Sequence, residues 1–555
     1  MAKVILDWDE KYKTAIIVSD FLPAIRARFS IPNTSKEMLK KQGKPTWYMP
    51  DFVSPITTGG KFGIGLYFEL ITFFTKDNVD YQIITTDLLE KQIIQTYEWN
   101  DNYIIDSLNM ELRPYQESSV KKCIRMGYGI VIVGTAGGKT CIMASLIQTI
   151  RAKEAPFTTL VILPSNLLQQ TYKEFLSYGI DPELMSTWGG DGGFIKKPIV
   201  LASIEILRAN LTTFSERKPK TEYAWKSDCI CKLSIKPCKN KCKYGYEKET
   251  CTNKVSTQTY KEYLDIFSNE EKARKKSWAA RRKDTLDQLS DVELVLIDEI
   301  HSLRRGNVMN EVVGLFSTRH RFGFTGTLPS DIIDQWNIMG NIGPILIDVD
   351  SAALRKMDYI AQVKAQILQI QYKTKLRVNI DQNDPTKAFN EECEFIYKNK
   401  FRNRVMLKLC NSFENNALIM VDKIDHGRRI AKYIRNNLKD KQVYWIRGSV
   451  EMEDRERIRA LMETNNNVVC VAMSRIFAVG INIKNLHYVV FAQGGKAKVT
   501  LIQSIGRGLR LHDNKVCLII IDIADMLHYG TKHLLERLDY YKDEQIEHET
   551  KELYE

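Results

Sequence analysis

The stretch that most constrains the fold is residues 130–140, where an apolar run passes through a glycine-rich turn into Gly138-Lys139-Thr140. The apolar-periodic segment 141–150 follows, so the predicted order is strand, loop and helix. This order suits a phosphate cradle, because small residues let backbone N–H groups close on phosphate oxygens at the positive end of a helix. We expect the cradle to consist of Gly134, Thr135, Ala136, Gly137 and Gly138.

Two side chains at the end of this loop have the chemistry of a nucleotide site. Lys139 would reach the β- and γ-phosphates, and the Thr140 hydroxyl would ligate Mg²⁺. Val133 departs from the pattern G-x-x-x-x-G-K-[ST], since it occupies the position of the first glycine. The alternative is an ordinary glycine-rich turn between a strand and a helix.

A second element, residues 292–301, ends an apolar strand in two adjacent carboxylates. Open parallel sheets bind their ligands at the C-terminal ends of their strands. Asp298 suits the shell of Mg²⁺, and Glu299 suits the polarisation of an attacking water. An Asp-Glu pair after an apolar run is often a solvated turn, but the phosphate loop upstream favours a nucleotide site.

Composition narrows the class of protein. The 555 residues suffice for roughly three domains, and 44% apolar with 27% charged residues is ordinary for a globular protein. A net charge of +12 favours a polyanionic partner, with a merely basic surface as the alternative. Neither a membrane span nor a signal peptide is evident, and eleven cysteines do not suggest a disulfide scaffold. We therefore expect no membrane partner and a cytoplasmic location, which is the host cytoplasm if the protein is viral.

Strands alternate with helices through most of the chain, which predicts an α/β protein with two parallel-sheet units. A strand at 15–18 and a helix at 66–74 precede them, and a charged tail at 532–555 is expected to be helical. Lysines and aromatic residues in 31–55 could grip a nucleic-acid backbone or simply form an irregular surface. The expected divisions are an N-terminal accessory, DNA-binding domain at 1–100, a first α/β domain at 101–355, a second at 356–540 and a tail at 541–555.

A polar, lysine-rich insertion at 208–290 interrupts the first α/β domain. Residues 216–283 carry 19 lysines and arginines against nine acidic residues, and 272–283 is a strongly basic helical stretch. Four thiolates from this insertion could hold one structural Zn²⁺, although the spacing is less diagnostic than two C-x₂-C pairs. The alternative is a flexible basic loop with free thiols. The candidate ligands are Cys229, Cys231, Cys238, Cys242 and Cys251.

Further candidates lie in the second α/β domain and before the phosphate loop. Arg507 and Arg510 are three apart, so a helix would place both on one face, where a planar cation suits the charge of a γ-phosphate during cleavage. If such an arginine belonged to a separate domain, hydrolysis would depend on closure of the cleft between the two domains. The alternative is a solvated helix face. Gln116 has the donor and acceptor needed to read an adenine edge.

In this order the motifs resemble those of superfamily 2 helicases of the D-E-x-H, or DEAD/DEAH-like, kind. The matching segments are 112–116 for adenine, 133–140 for the phosphates, 298–301 for the D-E-x-H box, Thr325, Gly326 and Thr327 for coupling, and 503–510 for the arginine finger. Within that superfamily, 417–430, 444–455 and 477–510 resemble the recombination helicases of T4-like phages. Met473 departs from the family, because a Ser or Thr usually contacts nucleic acid at that position.

The resemblance implies two RecA-like domains in tandem, with ATP between them and one DNA strand across their tops. Gly480, Asn482 and Gln503 would then join the ATP site, and Ser165 and Ser203 would contact nucleic acid. The implied function is an ATP- and Mg²⁺-dependent helicase for forked, branched and single-stranded DNA in phage recombination, replication or repair. The sequence leaves the oligomeric state open, with a monomer favoured. The alternatives are an RNA helicase or transcript-release factor, and a non-motor DNA-binding or annealing protein.

Overall fold

The protein is described by a computed structural model, which covers most of the chain. The described residues are 2–11, 14–41, 43–76, 80–93, 105–106, 108–152, 157–189, 193–219, 260–303, 307, 309–316, 318, 320–373, 385–447, 452–474, 483–492, 515 and 517–555. Within these ranges, no helix is long and apolar enough to cross a membrane.

The N-terminal domain is a small α/β unit. Its four-stranded sheet has the order β5-β2-β1-β6, in which β1 is antiparallel to β2 and parallel to β6. The strands are β1 (Ala2–Asp9), β2 (Thr14–Val18), β3 (Ile31–Pro32), β4 (Phe52–Val53), β5 (Lys61–Phe62) and β6 (Tyr81–Thr85). The helices are α1 (Leu22–Arg28), α2 (Thr34–Lys41), α3 (Tyr67–Lys76) and α4 (Asp87–Ile93), with a 3₁₀ turn at Ile64–Leu66. The strand predicted at 15–18 and the helix predicted at 66–74 are confirmed.

This domain packs closely against the first large domain. A Cβ on Gly65 would lie 1.8 Å from the carbonyl oxygen of Met339, so only glycine permits the approach. Residues 31–55 form the pair β3-β4 and the helix α2, and Trp47 and Tyr48 are exposed there.

A seven-stranded parallel sheet forms the first large domain, in the order β13-β7-β12-β11-β8-β10-β9. Its strands are β7 (Tyr128–Val133), β8 (Thr158–Leu163), β9 (Met185–Trp188), β10 (Ile199–Ser203), β11 (Val292–Ile297), β12 (His320–Thr325) and β13 (Ile345–Val349). Its α-helices are α5 (Pro114–Met126), α6 (Lys139–Arg151), α7 (Ser165–Tyr178), α8 (Ile204–Leu211), α9 (Tyr260–Gln288), α10 (Met309–Leu315), α11 (Ile332–Ile342) and α12 (Ser351–Lys356). Short 3₁₀ turns occur at Pro182–Leu184 and Ile300–Ser302.

Helices cover both faces of this sheet, and its central strands read as continuous apolar runs for that reason. Every residue of β7 and β10 is buried. Strand β12 lies between β7 and β11, so the ends of these three strands meet at one edge.

The second large domain also contains a seven-stranded parallel sheet, in the order β16-β17-β15-β18-β19-β14-β20. Its strands are β14 (Gln362–Gln371), β15 (Ala417–Val421), β16 (Gln442–Ile446), β17 (Val468–Met473), β18 (Tyr488–Phe491), β19 (Cys517–Asp525) and β20 (Glu547–Tyr554). Its helices are α13 (Pro385–Lys398), α14 (Lys400–Ser412), α15 (Ile424–Asn437), α16 (Met452–Thr464) and α17 (His528–Asp543). The expected tandem of parallel-sheet domains after a small N-terminal domain is confirmed.

The charged tail differs from its prediction. Helix α17 ends at Asp543, and residues 547–554 form the edge strand β20, parallel to β14. Seven of the eight side chains of β20 are exposed, so its sequence has no apolar alternation that would indicate a strand. Backbone pairing along the open edge of β14 creates the strand, and the second domain therefore extends to the C-terminus.

Candidate nucleotide site

The phosphate loop lies where β7 ends and α6 begins. The Gly137 N–H donates to the Gly134 carbonyl at 2.9 Å, and the Gly134 N–H donates to Val349 at 2.9 Å. Gly138 then has a φ of 83°, in the left-handed region, immediately before the first residue of α6, Lys139. The loop therefore presents its backbone at a helix N-terminus, as a phosphate cradle requires.

Packing beneath the phosphate loop accounts for the valine at position 133. A Cβ on Gly137 would lie 2.4 Å from Val133 Cγ1, so the valine side chain fills the space beneath the loop. Val133 is fully buried, and its carbonyl oxygen is 3.5 Å from Lys139 Nζ. The valine at this position thus supports the loop from below, and the glycine at 137 is needed to fit over it.

Gln116 and Tyr115 connect helix α5 to the same loop. Gln116 Nε2 donates to the Gly137 carbonyl at 3.0 Å, and its Oε1 accepts from the Arg113 N–H at 2.9 Å. The Tyr115 hydroxyl donates to the same Gly137 carbonyl. Both ends of the Gln116 amide are engaged within the protein, so this structure shows it holding the loop. Tyr115 is not among the site residues predicted from sequence, although it stands next to Gln116 in the chain.

Asp298 and Glu299 follow β11, as predicted. Asp298 is 7% exposed, and its N–H donates to the Ile162 carbonyl at 3.0 Å. Burial, followed by the charge of Glu299, raises the pKa of Asp298 to about 7, against the opposing effect of the Lys139 ammonium. Lys139 and the two carboxylates are therefore brought together in one site.

Backbone conformation sets the direction of Glu299. Its φ is 54°, in the left-handed region, which is unusual for a residue with a side chain and is typical of functional sites. The Glu299 N–H donates to Asp298 Oδ1 at 2.9 Å. This tight turn directs the two adjacent carboxylates differently, with Asp298 buried and Glu299 partly exposed.

His301 joins Glu299 to the end of β12. Its Nδ1 lies 3.2 Å from the Glu299 carboxylate and 3.3 Å from Thr325 Oγ1. Thr325 in turn donates to the Thr327 carbonyl at 2.8 Å. A Cβ on Gly326 would come within 3.3 Å of Thr135 Oγ1, so the 325–327 segment lies against the phosphate loop.

The residues present fit a nucleotide with a divalent cation. Asp298 and Thr140 supply a carboxylate and a hydroxyl, and oxygen ligands are those that Mg²⁺ prefers. A buried carboxylate whose pKa is raised by desolvation is a group that a nearby cation would stabilise in its ionised form. Lys139 and the loop N–H groups offer the positive surroundings that phosphates require.

The two serines predicted to contact nucleic acid occupy different environments. Ser165 is exposed at the start of α7, and its N–H donates to Glu205 at 3.1 Å. Ser203 is 2% exposed, and its hydroxyl accepts from the Ile206 N–H at 3.2 Å as the N-cap of α8. The Ser203 hydroxyl is thus buried and engaged in the cap, and the nucleic-acid contacts of both serines stay predictions.

Some predicted site residues lie outside the described ranges. They are Gly480, Asn482, Gln503, Arg507 and Arg510 in the second domain, and Cys229, Cys231, Cys238, Cys242 and Cys251 in the insertion. Their roles stay predictions.

Comparisons with known families match both large domains. Residues 109–230 match the family described as "Type III restriction enzyme, res subunit", and residues 400–512 match "Helicase conserved C-terminal domain". The first match covers the phosphate loop, and the second covers strands β15 to β18.

Two curated relatives are viral proteins. The ATP-dependent DNA helicase uvsW of Enterobacteria phage T4 is 27% identical over 302 residues, which cover 51% of this chain and 59% of that protein. Putative helicase 22 of Sulfolobus islandicus filamentous virus is 23% identical over 458 residues, covering 80% of this chain and 69% of that protein. The match thus spans about three fifths of the length of the T4 protein.

A solved structure supports the fold. The Type ISP restriction-modification enzyme LlaBIII, bound to DNA, is 11% identical with a TM-score of 0.50, and the alignment covers 87% of this chain and 34% of that one. At this identity the likeness concerns the fold alone. With two family matches in chain order and the similarity to the T4 helicase, the chain resembles superfamily 2 helicases of the UvsW kind.

Proposed function

We propose that the protein is an ATP-dependent DNA helicase or translocase that unwinds, anneals and migrates branched DNA in phage recombination, replication or repair. The observation that carries the ATPase part is the convergence of Lys139, Asp298, Glu299 and His301 at one edge of the first parallel sheet. The choice of DNA is supported by the T4 relative, which is named a DNA helicase, and by the net charge of +12.

The geometry supports separate tasks for the residues of the ATP site. Lys139 and the 134–138 backbone bind the phosphates, and Gln116 holds that backbone in place through Gly137. Glu299, directed by its left-handed conformation and by His301, orients the attacking water. Asp298 and Thr140 would hold Mg²⁺, which would neutralise part of the phosphate charge when bound.

Coupling to movement follows from contacts between strand ends. His301 contacts both Glu299 and Thr325, so a change in position of the Glu299 carboxylate would be transmitted through His301 to the segment after β12. Arg507, from the second domain, would complete the site only when the two domains close on the nucleotide. Cycles of hydrolysis would then alternately close and open the two domains, both of which bind the same DNA strand.

Nucleic-acid contacts would be mostly to phosphates and independent of sequence. Ser165 is exposed at the strand-end edge, where such contacts are expected. Branch recognition would come from the N-terminal domain, where the Trp47 ring is 86% exposed and the Tyr48 ring lies beside it. Exposed aromatic rings can stack on unpaired bases at a junction.

One titration tests this proposal. ATPase activity of the purified chain is measured with a DNA fork, single-stranded DNA and single-stranded RNA, for the wild type and Lys139→Ala. We expect the fork to stimulate the wild type most strongly, and the variant to lose turnover while it still binds DNA. Stimulation by RNA alone would transfer the assignment to an RNA helicase, and unwinding by Lys139→Ala would overturn the motor assignment.

We also propose that four of the five insertion cysteines bind one structural Zn²⁺. Its support is sequence alone, namely five of eleven cysteines within 23 positions of a lysine-rich stretch. Elemental analysis of the untagged protein should give close to one zinc per chain, and Cys238→Ser with Cys242→Ser should release it. Metal-free wild-type protein would contradict the proposal.

A further inference from the structure

Helix α9, at the C-terminal side of the insertion, is attached to the first large domain along one face. Trp278 Nε1 donates to the Thr212 carbonyl at 3.1 Å, and Arg282 Nε donates to the Leu211 carbonyl at 3.2 Å. The Trp278 ring packs against Phe214 with centroids 5.5 Å apart. Toward the end of the helix Thr285 is 2% exposed, so this face is fixed to the domain.

Basic residues beside the attached face are already paired. Arg274 and Arg217 contact the Glu271 carboxylate at 2.6 and 2.9 Å, and Lys275 contacts Glu216 at 3.2 Å. These pairs fasten residues 215–217 onto the helix, and their two carboxylates offset two of the three positive charges involved. They cannot account for the basic character of the outer face.

The outer face carries a row of lysines. Lys272, Lys276 and Lys283 are spaced by four and seven residues, which places them on one side of a helix. All three are exposed, and among the described residues none has an ion-pair partner. The stretch from 272 to 283 contains seven basic residues and no acidic one, so no carboxylate within it offsets the row.

Helix α9 is long compared with the strands of the sheet into which it leads. Its last residue, Gln288, lies four residues before β11, at the N-terminal edge of the sheet. Its 29 residues span about 43 Å, whereas a six-residue strand spans only about 20 Å. Lys272 lies about 24 Å along the helix from Gln288.

We propose that the outer face of α9, with Lys272, Lys276 and Lys283, binds the sugar-phosphate backbone of double-stranded DNA beside the motor. This inference rests on the proposed DNA helicase function and assigns it a duplex-binding surface. A rigid helix presents the three charges in a straight row about 17 Å long. Duplex DNA presents one phosphate charge per about 1.7 Å of axis, so roughly ten phosphate charges lie within that length.

Duplex DNA fits this face better than a single strand does. Binding of single strands relies on aromatic side chains on which bases stack. From Lys272 to Lys283 the single aromatic residue is Trp278, and it is turned inward toward Thr212. The outward row contains only lysines and Ala279, which offers charge without a stacking surface.

The test measures the salt dependence of binding by fluorescence anisotropy, with a 20-base-pair DNA duplex and with single-stranded dT20. The variant is Lys272→Gln, Lys276→Gln and Lys283→Gln together, because glutamine keeps helix propensity close to that of lysine. Each lost phosphate contact lowers the slope of log K against log salt by about 0.9. We expect a decrease of about 2 to 3 in the duplex slope, with a duplex affinity loss at least tenfold larger than the loss for dT20.

A matched control removes the same charge elsewhere. Lys408→Gln, Lys432→Gln and Lys439→Gln together change three exposed lysines of the second domain and should leave the duplex slope unchanged. A wild-type slope in the α9 variant, or equal losses for duplex and dT20, would overturn the inference. The ATPase of the wild type separates the two proposals. If no nucleic acid stimulates it, the helicase function fails, and the binding data still decide the role of α9.

Discussion

Gln116 donates a hydrogen bond of 3.0 Å from its side-chain Nε2 to the carbonyl of Gly137. Gln116 is 4% exposed and belongs to α5, whereas Gly137 is at the centre of the phosphate loop. The bond joins two segments that are 21 residues apart, at a position where the loop must keep one shape to bind phosphates. Gln116 is therefore a positioning residue for the loop in this conformation.

Replacing Gln116 should weaken ATP binding more than turnover. Gln116→Ala removes a buried hydrogen bond to the loop, which costs about 1–2 kcal/mol, or roughly a 5- to 30-fold increase in the Kd for ATP. Titration with a fluorescent ATP analogue measures this Kd. Glu117→Ala, on the same helix, removes only a half-exposed pair with Lys121 and serves as the control. Equal affinities of Gln116→Ala and the wild type would contradict the positioning role.

Glu299→Gln should separate ATP binding from hydrolysis. The amide keeps the size of the side chain but cannot act as a base, so we expect turnover to fall by about 10²-fold or more while ATP affinity is retained. Single-turnover hydrolysis and equilibrium binding together measure the two quantities. Glu293→Gln, an exposed position earlier in the same strand, should behave as the wild type. Wild-type hydrolysis by Glu299→Gln would exclude it as the catalytic base.

Arg507→Ala tests the finger predicted from sequence. If the guanidinium stabilises charge that develops during cleavage, turnover should fall by about 10³-fold with little change in ATP affinity. Steady-state kinetics with saturating DNA, compared with ATP binding, measure both. Arg510→Ala is the matched variant. An inert Arg507 with an inactive Arg510→Ala would assign the finger to Arg510, and equal losses of binding and turnover would indicate a ground-state contact.

A buried ion pair should control the stability of the second domain. Arg402 is fully buried, and its Nε and Nη2 donate to the Asp525 carboxylate at 2.7 and 3.1 Å. Tyr372 donates to the same carboxylate. Asp525→Ala would leave a buried guanidinium without its counter-ion, and we expect a loss of about 3–5 kcal/mol in the free energy of unfolding of this domain.

Chemical denaturation followed by hydrogen exchange in β14 and β19 would measure that loss. The double variant Arg402→Met with Asp525→Leu removes both charges and should recover most of the stability, since no unpaired charge remains. If the double variant is as unstable as Asp525→Ala, packing rather than charge is the cause.

The sequence by itself determined the fold class and the core of the nucleotide site. Apolar runs such as 130–133 and 294–297 indicate buried parallel strands, and the residues that follow them carry the chemistry. Because parallel strands end at one edge, placing Lys139 after one strand and Asp298 with Glu299 after another already brings them into one region. Local pattern was sufficient there, since each of these signals is contained within about ten residues.

Only the tertiary structure decided which polar groups are free and how the tail folds. Gln116 and Ser203 have the chemistry to bind ligands, but Gly137 and the start of α8 engage them in internal hydrogen bonds. Residues 547–554 become a strand because β14 offers an unpaired edge, although their own side chains remain largely exposed. These outcomes depend on partners distant in sequence, and a hydrogen bond to a distant backbone group leaves no periodic signal in the chain that makes it.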